Sequence, residues 1–172
     1  MNYENYIAVV EDYPKKGISF KDITSLISNG EVYKKVIEDL SNYVKEIGAD
    51  YIVSPESRGF IFGCPVATNL GIGFVPVRKK GKLPRETISV KYELEYGSDE
   101  LFMHKDALKP GDRVVLIDDL VAIGGTLNAV GELVESTGAK VVGALSVITL
   151  KGLPGEELLK KYNLKSLLYL ED

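Results

Sequence analysis

Two adjacent carboxylates, Asp118 and Asp119, stand directly after the apolar run RVVLI (residues 113–117), and a turn of small residues follows: Ala122, Ile123, Gly124, Gly125 and Thr126. The chemistry open to this set is the holding of a phosphorylated sugar. Gly124 and Gly125 let backbone N–H groups come close to a phosphate. The start of the following helix adds free N–H donors and a favourable dipole. Thr126 adds a hydroxyl, and acids at the strand end suit sugar hydroxyls. A solvated turn with an ordinary helix start would use the same glycines and threonine. The adjacent acids weigh against that simpler reading, because buried unpaired charge is costly. The set is not a Walker loop, since the GxxxxGK[ST] spacing and its lysine are absent.

Other residues could serve a site near that turn. Phe20 is the one aromatic in ISFKDIT (residues 18–24), either a stacking platform for a flat ring or a core anchor for its loop. Arg58, in PESRG, lies between an apolar strand and a helix. It is either a surface arginine or a planar fork that grips an anion. Arg78, Lys79, Lys80 and Lys82 cluster around Gly81; such a cluster is either simply solvated or a counter-charge for a polyanion. Glu95 shares the polar side of its segment with Glu93, where a carboxylate is usually inert. His104 is the one histidine and is assigned no chemistry. No Ser/His/Asp set, CxxC pair or His-rich metal cluster is present.

The elements that position these residues follow from periodicity. Residues 3–11 read as a short helix ended by the turn at Pro14. Residues 31–47 carry Val32, Val36, Ile37, Leu40, Tyr43, Val44 and Ile47 at helical spacing, with Gly48 as the stop. Residues 49–54 and 73–78 read as strands, with a helix over 60–70 between them. Residues 87–96 alternate, placing Ile88, Val90, Tyr92, Leu94 and Tyr96 on one face. Residues 113–117 and 140–150 are continuous apolar strands around a helix over 125–136. A short helix over 156–161 and a strand over 166–170 complete the chain. Uninterrupted apolar strands imply burial on both faces. The expected fold is therefore α/β, a central mostly parallel sheet flanked by helices, with ligands at the carboxyl ends of the strands.

Composition bounds the function. At 172 residues the chain suits a single domain, and 45% hydrophobic with 27% charged residues is an ordinary globular balance. A net charge of −4 speaks against nucleic-acid binding, so phosphate affinity has to be local. No apolar run reaches membrane-spanning length, and the first residues lack a signal-peptide pattern. The lone Cys64 cannot form an internal disulfide, which fits a cytoplasmic protein.

The segment VVLIDDLVAIGGT resembles the donor-binding signature of the type I phosphoribosyltransferases. YPKKGISFKDIT, PESRGFIFG, RKKGKLPRETISVKYELEYG and MHKDALKPGDRVVLIDD resemble, in the same order, the adenine-using members of that family. Together these segments cover most of residues 13–126. The resemblance implies transfer of a phosphoribosyl group from 5-phosphoribosyl 1-pyrophosphate to adenine, giving AMP and pyrophosphate in purine salvage.

It also implies roles. Asp118 and Asp119 hold the ribose hydroxyls, while Ala122, Ile123, Gly124, Gly125 and Thr126 cradle the 5′-phosphate. Phe20 stacks on adenine, Leu120 covers its other face, and backbone groups of Ser19 and Lys21 read the base edge. Arg58, Arg78, Lys79 and Lys82 contact pyrophosphate, some across a homodimer interface. A strained or cis peptide is expected between Glu56 and Ser57. Glu95 lies over the base and assists proton movement at N7, and Tyr96 closes the same hood. That hood comprises the N-terminal segment and residues 79–97, the latter expected as an exposed, mobile lid. Mg²⁺ arrives with the donor, and no metal is expected to be held by the protein alone. One position departs from the family pattern: Ile123 replaces a threonine whose hydroxyl contacts the phosphate, so weaker donor affinity is expected. Two other readings stay open. A 6-oxopurine phosphoribosyltransferase would use a lysine on the base oxygen, and Lys21 is the candidate. A regulator on the same fold would bind the donor without turnover.

Overall fold

The computed structural model describes residues 1–94 and 97–172. The strands are β1 (Ala8–Val10), β2 (Phe20–Asp22), β3 (Tyr51–Pro55), β4 (Gly73–Val77), β5 (Thr87–Glu93), β6 (Ser98–His104), β7 (Arg113–Val121), β8 (Lys140–Lys151) and β9 (Lys165–Glu171). The helices are α1 (Thr24–Ser28), α2 (Gly30–Ile47), α3 (Arg58–Leu70), α4 (Gly125–Ser136) and α5 (Gly155–Leu158).

A five-stranded sheet in the order β4-β3-β7-β8-β9 forms the centre, and every neighbouring pair in it is parallel. Strand β7 shows why its sequence is continuously apolar. Val114 and Leu116 enter one core cluster while Val115 and Ile117 enter the other, so both faces are covered. On one face lie α2 and α3, through Val32, Val36, Leu40, Val44, Phe62 and Val66. On the other lies α4, through Leu127, Val130, Leu133 and Val134. Helix α2 starts where the Asn29 side chain accepts from the Val32 N–H, and it ends at Gly48 with φ 78°, a backbone setting that glycine enters without strain.

The order of the sheet reverses between β3 and β7. From β3 the chain moves outward to β4, whereas from β7 it moves the other way to β8 and β9. Ligand crevices form at such switch points. Here the carboxyl ends of β3 and β7 deliver Glu56–Arg58 and the acidic pair side by side.

Three features differ from the sequence expectation. Residues 3–11 are not a helix. A single 3-10 turn, Tyr3–Tyr6, is followed by β1, which pairs antiparallel with β2, Val10 opposite Phe20. The β-branched pair Val9 and Val10 favours the extended form. Strand β7 runs on to Val121, so Asp118 and Asp119 lie inside it rather than beyond it. Residues 87–93 form the strand that the alternation predicted, but it is not the exposed lid expected. Strand β5 pairs with β6, Ile88, Val90 and Tyr92 pack on the core, and Leu101 and Met103 of β6 are fully buried.

Candidate active site

A cleft of about 780 Å³ opens at the switch point. Its walls come from four sources: the Glu56–Arg58 turn, the end of β7, the 122–126 turn, and Tyr92 to Leu94 of the β5–β6 ribbon, with Lys79 at one side. The acidic pair, Leu120, the whole 122–126 turn, Arg58 and Lys79, which the sequence and the resemblance singled out, therefore line one space.

The carboxylates are held unequally. Asp118 and Asp119 are both buried, at 8% and 4% exposure. The Asp119 N–H donates to Asp118 Oδ1 at 2.8 Å. Asp118 is pushed well above the usual carboxylate range, first by burial and then by the neighbouring Asp119 charge, with Arg58 opposing. Asp119 Oδ2 sits 3.1 Å from Arg58 Nε, yet makes no hydrogen bond of good geometry. A buried carboxylate oxygen facing a cleft with its acceptor capacity unused fits the hydroxyl of an incoming sugar.

Gly124 caps α4 with φ 88°, and a side chain there would meet the Gly155 Cα at 2.7 Å. The Gly155 N–H donates to the Ala122 carbonyl at 2.9 Å. The 122–126 turn is thus braced from behind by a later segment. Helix α4 begins at Gly125 with Leu127 as its first fully buried residue, so its opening N–H groups face the cleft end. Ile123 is 61% exposed on the cleft wall and offers the phosphate no side-chain donor. Ile123→Thr is expected to lower the donor KM by the equivalent of about 1–3 kcal/mol, read from steady-state kinetics at saturating base. An unchanged KM would show that the backbone donors suffice.

Arg58 opens α3, and its guanidinium lies 5.5 Å from the Phe20 ring centre. Phe20 lies on β2, half-buried, with Tyr13 edge-on at 5.3 Å. Arg58 thereby links Phe20 to the acidic pair. The Glu56–Ser57 peptide is cis, in line with the resemblance. Glu56 then accepts from Arg78 Nε at 3.2 Å and from the Lys79 N–H at 2.7 Å, which ties the basic segment to the β3 turn. Lys79 Nζ is paired with Asp99. Sequence reasoning passed over Glu56 and Asp99, because a carboxylate that organises cations has no spacing of its own.

Some expected residues stand apart from the cleft wall. Arg78 is held back by Glu56, Lys82 is exposed, and neither lines the cleft. Ser19, Phe20 and Lys21 belong to the N-terminal segment, outside the lining. Lys21 is buried at 8% exposure, with Nζ donating to Ser19 Oγ at 2.9 Å. Glu95 and Tyr96 lie outside the described residues. Among the described residues, no group of three or more potential metal ligands stands together.

An open parallel sheet with an acidic pair, a braced glycine turn and an arginine turn at its switch point defines the type I phosphoribosyltransferase fold. A profile of the phosphoribosyl transferase domain matches residues 22–168. An adenine phosphoribosyltransferase of Lactobacillus acidophilus is 55% identical over 97% of this chain and 95% of its own. The crystal structure of adenine phosphoribosyltransferase from Thermoanaerobacter pseudethanolicus superposes with TM-score 0.94 at 47% identity, covering 97% of each chain. The Saccharomyces cerevisiae enzyme, solved with an imino-altritol bisphosphate and adenine, gives TM-score 0.87 at 37% identity, over 97% of this chain and 94% of its own. The chain belongs to the phosphoribosyltransferase family, within its adenine phosphoribosyltransferases, pentosyltransferases of purine salvage.

Proposed function

We propose that this chain joins adenine to 5-phosphoribosyl 1-pyrophosphate, releasing AMP and pyrophosphate. The observation that carries the reading is the convergence of Asp118, Asp119, the 122–126 turn and Arg58 on one cleft. The reaction displaces pyrophosphate from the anomeric carbon. A cation-like sugar is expected in the transition state, as in glycosyl transfer generally. Adenine is the nucleophile, so the protein supplies position and charge balance. The turn fixes the 5′-phosphate, and the acidic pair orients the ribose hydroxyls. Arg58 and Lys79, with Arg78 and Lys82 behind them, neutralise the departing pyrophosphate.

Phe20, on the ribbon beside Arg58, stacks on the base, and Leu120 on the cleft wall covers its other face. Backbone groups of Ser19 and Lys21 read the base edge, and Glu95 assists the proton at N7. Mg²⁺ is proposed as a companion of the donor: Asp118 and Asp119 would orient the donor's hydroxyls, and the ion would offset pyrophosphate charge. The chain is proposed to act as a single domain with its hood, as a homodimer, in the cytoplasm. Among the described residues, no helix is long and apolar enough to cross a membrane.

The Lys21 ammonium, on which the 6-oxopurine reading rests, is engaged with Ser19 in the ribbon. A main-chain reader offers adenine a carbonyl for its amine and an N–H for a ring nitrogen, and a 6-oxo base reverses that polarity. Pyrophosphate release with adenine, hypoxanthine and guanine in parallel tests this. Adenine is expected to exceed the others by about 10⁴-fold or more in kcat/KM. Comparable turnover of hypoxanthine would overturn the base assignment, and no turnover of any base would favour a donor-binding regulator.

A further inference from the structure

Tyr92 lies on β5, far in sequence from the phosphate turn, yet its hydroxyl sits 3.3 Å from Thr126 Oγ1. The same hydroxyl is 3.4 Å from Asp99 Oδ2, and Asp99 is paired with Lys79. The Tyr92 ring packs on the core and lies 3.5 Å from where a Cβ on residue 125 would stand. Helix α4 and β5 thus meet at the turn itself, with the Tyr92 ring in contact distance of residue 125.

We propose that Tyr92 is a positioning residue that orients the Thr126 hydroxyl toward the 5′-phosphate, making the β5–β6 ribbon part of the phosphate grip. The inference rests on the phosphoribosyl reading of the cleft. A threonine hydroxyl has one proton. A neighbour that donates to the Thr126 oxygen fixes the hydroxyl rotor and leaves that proton free for a phosphate oxygen. The Tyr92 phenol, on the same cleft wall, is the group within reach of Thr126 Oγ1 that can make this donation. If Tyr92 donated to Asp99 instead, it would accept the Thr126 proton and turn it away from the ligand. The Lys79 ammonium already occupies Asp99 Oδ2, and a bound phosphate, by drawing the Thr126 proton to itself, would select the arrangement in which Tyr92 donates to Thr126. The arrangement matters in this chain because residue 123 is isoleucine. Thr126 is then the one hydroxyl-bearing residue in the 122–126 turn, so its orientation has no substitute nearby.

The test is calorimetric titration of the full chain with AMP and with adenosine, which lacks the phosphate. Wild type, Tyr92→Phe, Thr126→Ala and the double variant are compared, with Thr126→Ser as the conservative control. Phenylalanine keeps the packed ring and removes only the hydroxyl. Tyr92→Phe is expected to weaken AMP binding about threefold to tenfold and to leave adenosine unchanged. On the Thr126→Ala background the tyrosine change is expected to add nothing, and on Thr126→Ser its effect returns. Unchanged AMP affinity in Tyr92→Phe would overturn the proposal. So would an equal loss for adenosine, or a full second loss on the Thr126→Ala background. If wild type bound AMP no better than adenosine, the phosphate assignment of the cleft itself would fall, and the role of Tyr92 with it. Phosphate-dependent binding that ignores the tyrosine would remove the role of Tyr92 alone.

Discussion

An Arg58→Ala variant is expected to lose about 10²–10³-fold in kcat/KM for the phosphoribosyl donor, the usual cost of removing one well-placed charge donor from a transition state. Two effects act together. The first is loss of a planar cation beside the departing pyrophosphate. The second concerns Asp119, whose side chain is 5% exposed while Arg58 is 46% exposed. Without the guanidinium, two buried carboxylates face each other with less compensation, and Asp118 is protonated more easily. The half-exposed arginine is partly screened by water, so the stability loss is expected to be small beside the catalytic one. Arg58→Lys keeps the charge without the fork and is expected to fall between the two. Because Arg58 also lies over Phe20, the adenine KM is expected to rise modestly in both variants. Steady-state pyrophosphate release with each substrate varied in turn provides the measurement. Near wild-type kcat/KM in Arg58→Ala would strip this residue of its role.

The second large effect is one of opposite signs. Asp118→Asn is expected to stabilise the fold while sharply reducing turnover. Burial and the Asp119 charge raise the Asp118 pKa, so the folded state binds its proton more tightly than the unfolded chain does. Such a group contributes full stability below the ordinary carboxylate value, near 4. That contribution is lost as pH rises toward and through the raised folded value. Asparagine carries no such penalty, so its advantage should be absent at the acid end, grow as pH rises, and then level off. At neutral pH the variant is expected to melt above wild type. Thermal melts of both proteins across pH supply the test. A variant that melts lower than wild type at neutral pH would show that Asp118 is held comfortably ionised. Activity is expected to fall because an amide cannot replace a carboxylate that accepts from the ribose hydroxyls, an exchange of stability for function common at active sites.

How far the sequence carried these conclusions depended on the kind of signal. The central sheet was legible because β7 and β8 are buried on both faces and so are apolar without interruption. Helix α4 was legible to the residue, since Gly124 must sit at positive φ before it and Gly138 follows it. The N-terminal ribbon was not, because three residues of strand held by one partner leave no periodicity to read. Strand β6 was missed for another reason. Asp99 and Glu100 mask the alternation that buries Leu101 and Met103. In the site, the acidic pair and the glycine turn are local in the chain and could be read directly. The contacts of Glu56 with Arg78 and Lys79, and of Tyr92 with Thr126, join distant segments, and only the packed structure brings them together.

The brace behind the phosphate turn has a consequence for how such chains can diverge. Gly124 and Gly155 touch backbone to backbone, and a Cβ on Gly155 would itself fall 2.4 Å from the Ala122 carbonyl oxygen. Neither site can take a side chain unless the opposing backbone moves away. A remodelled C-terminal segment would reshape the nucleotide end of the cleft without altering any residue that meets the ligand.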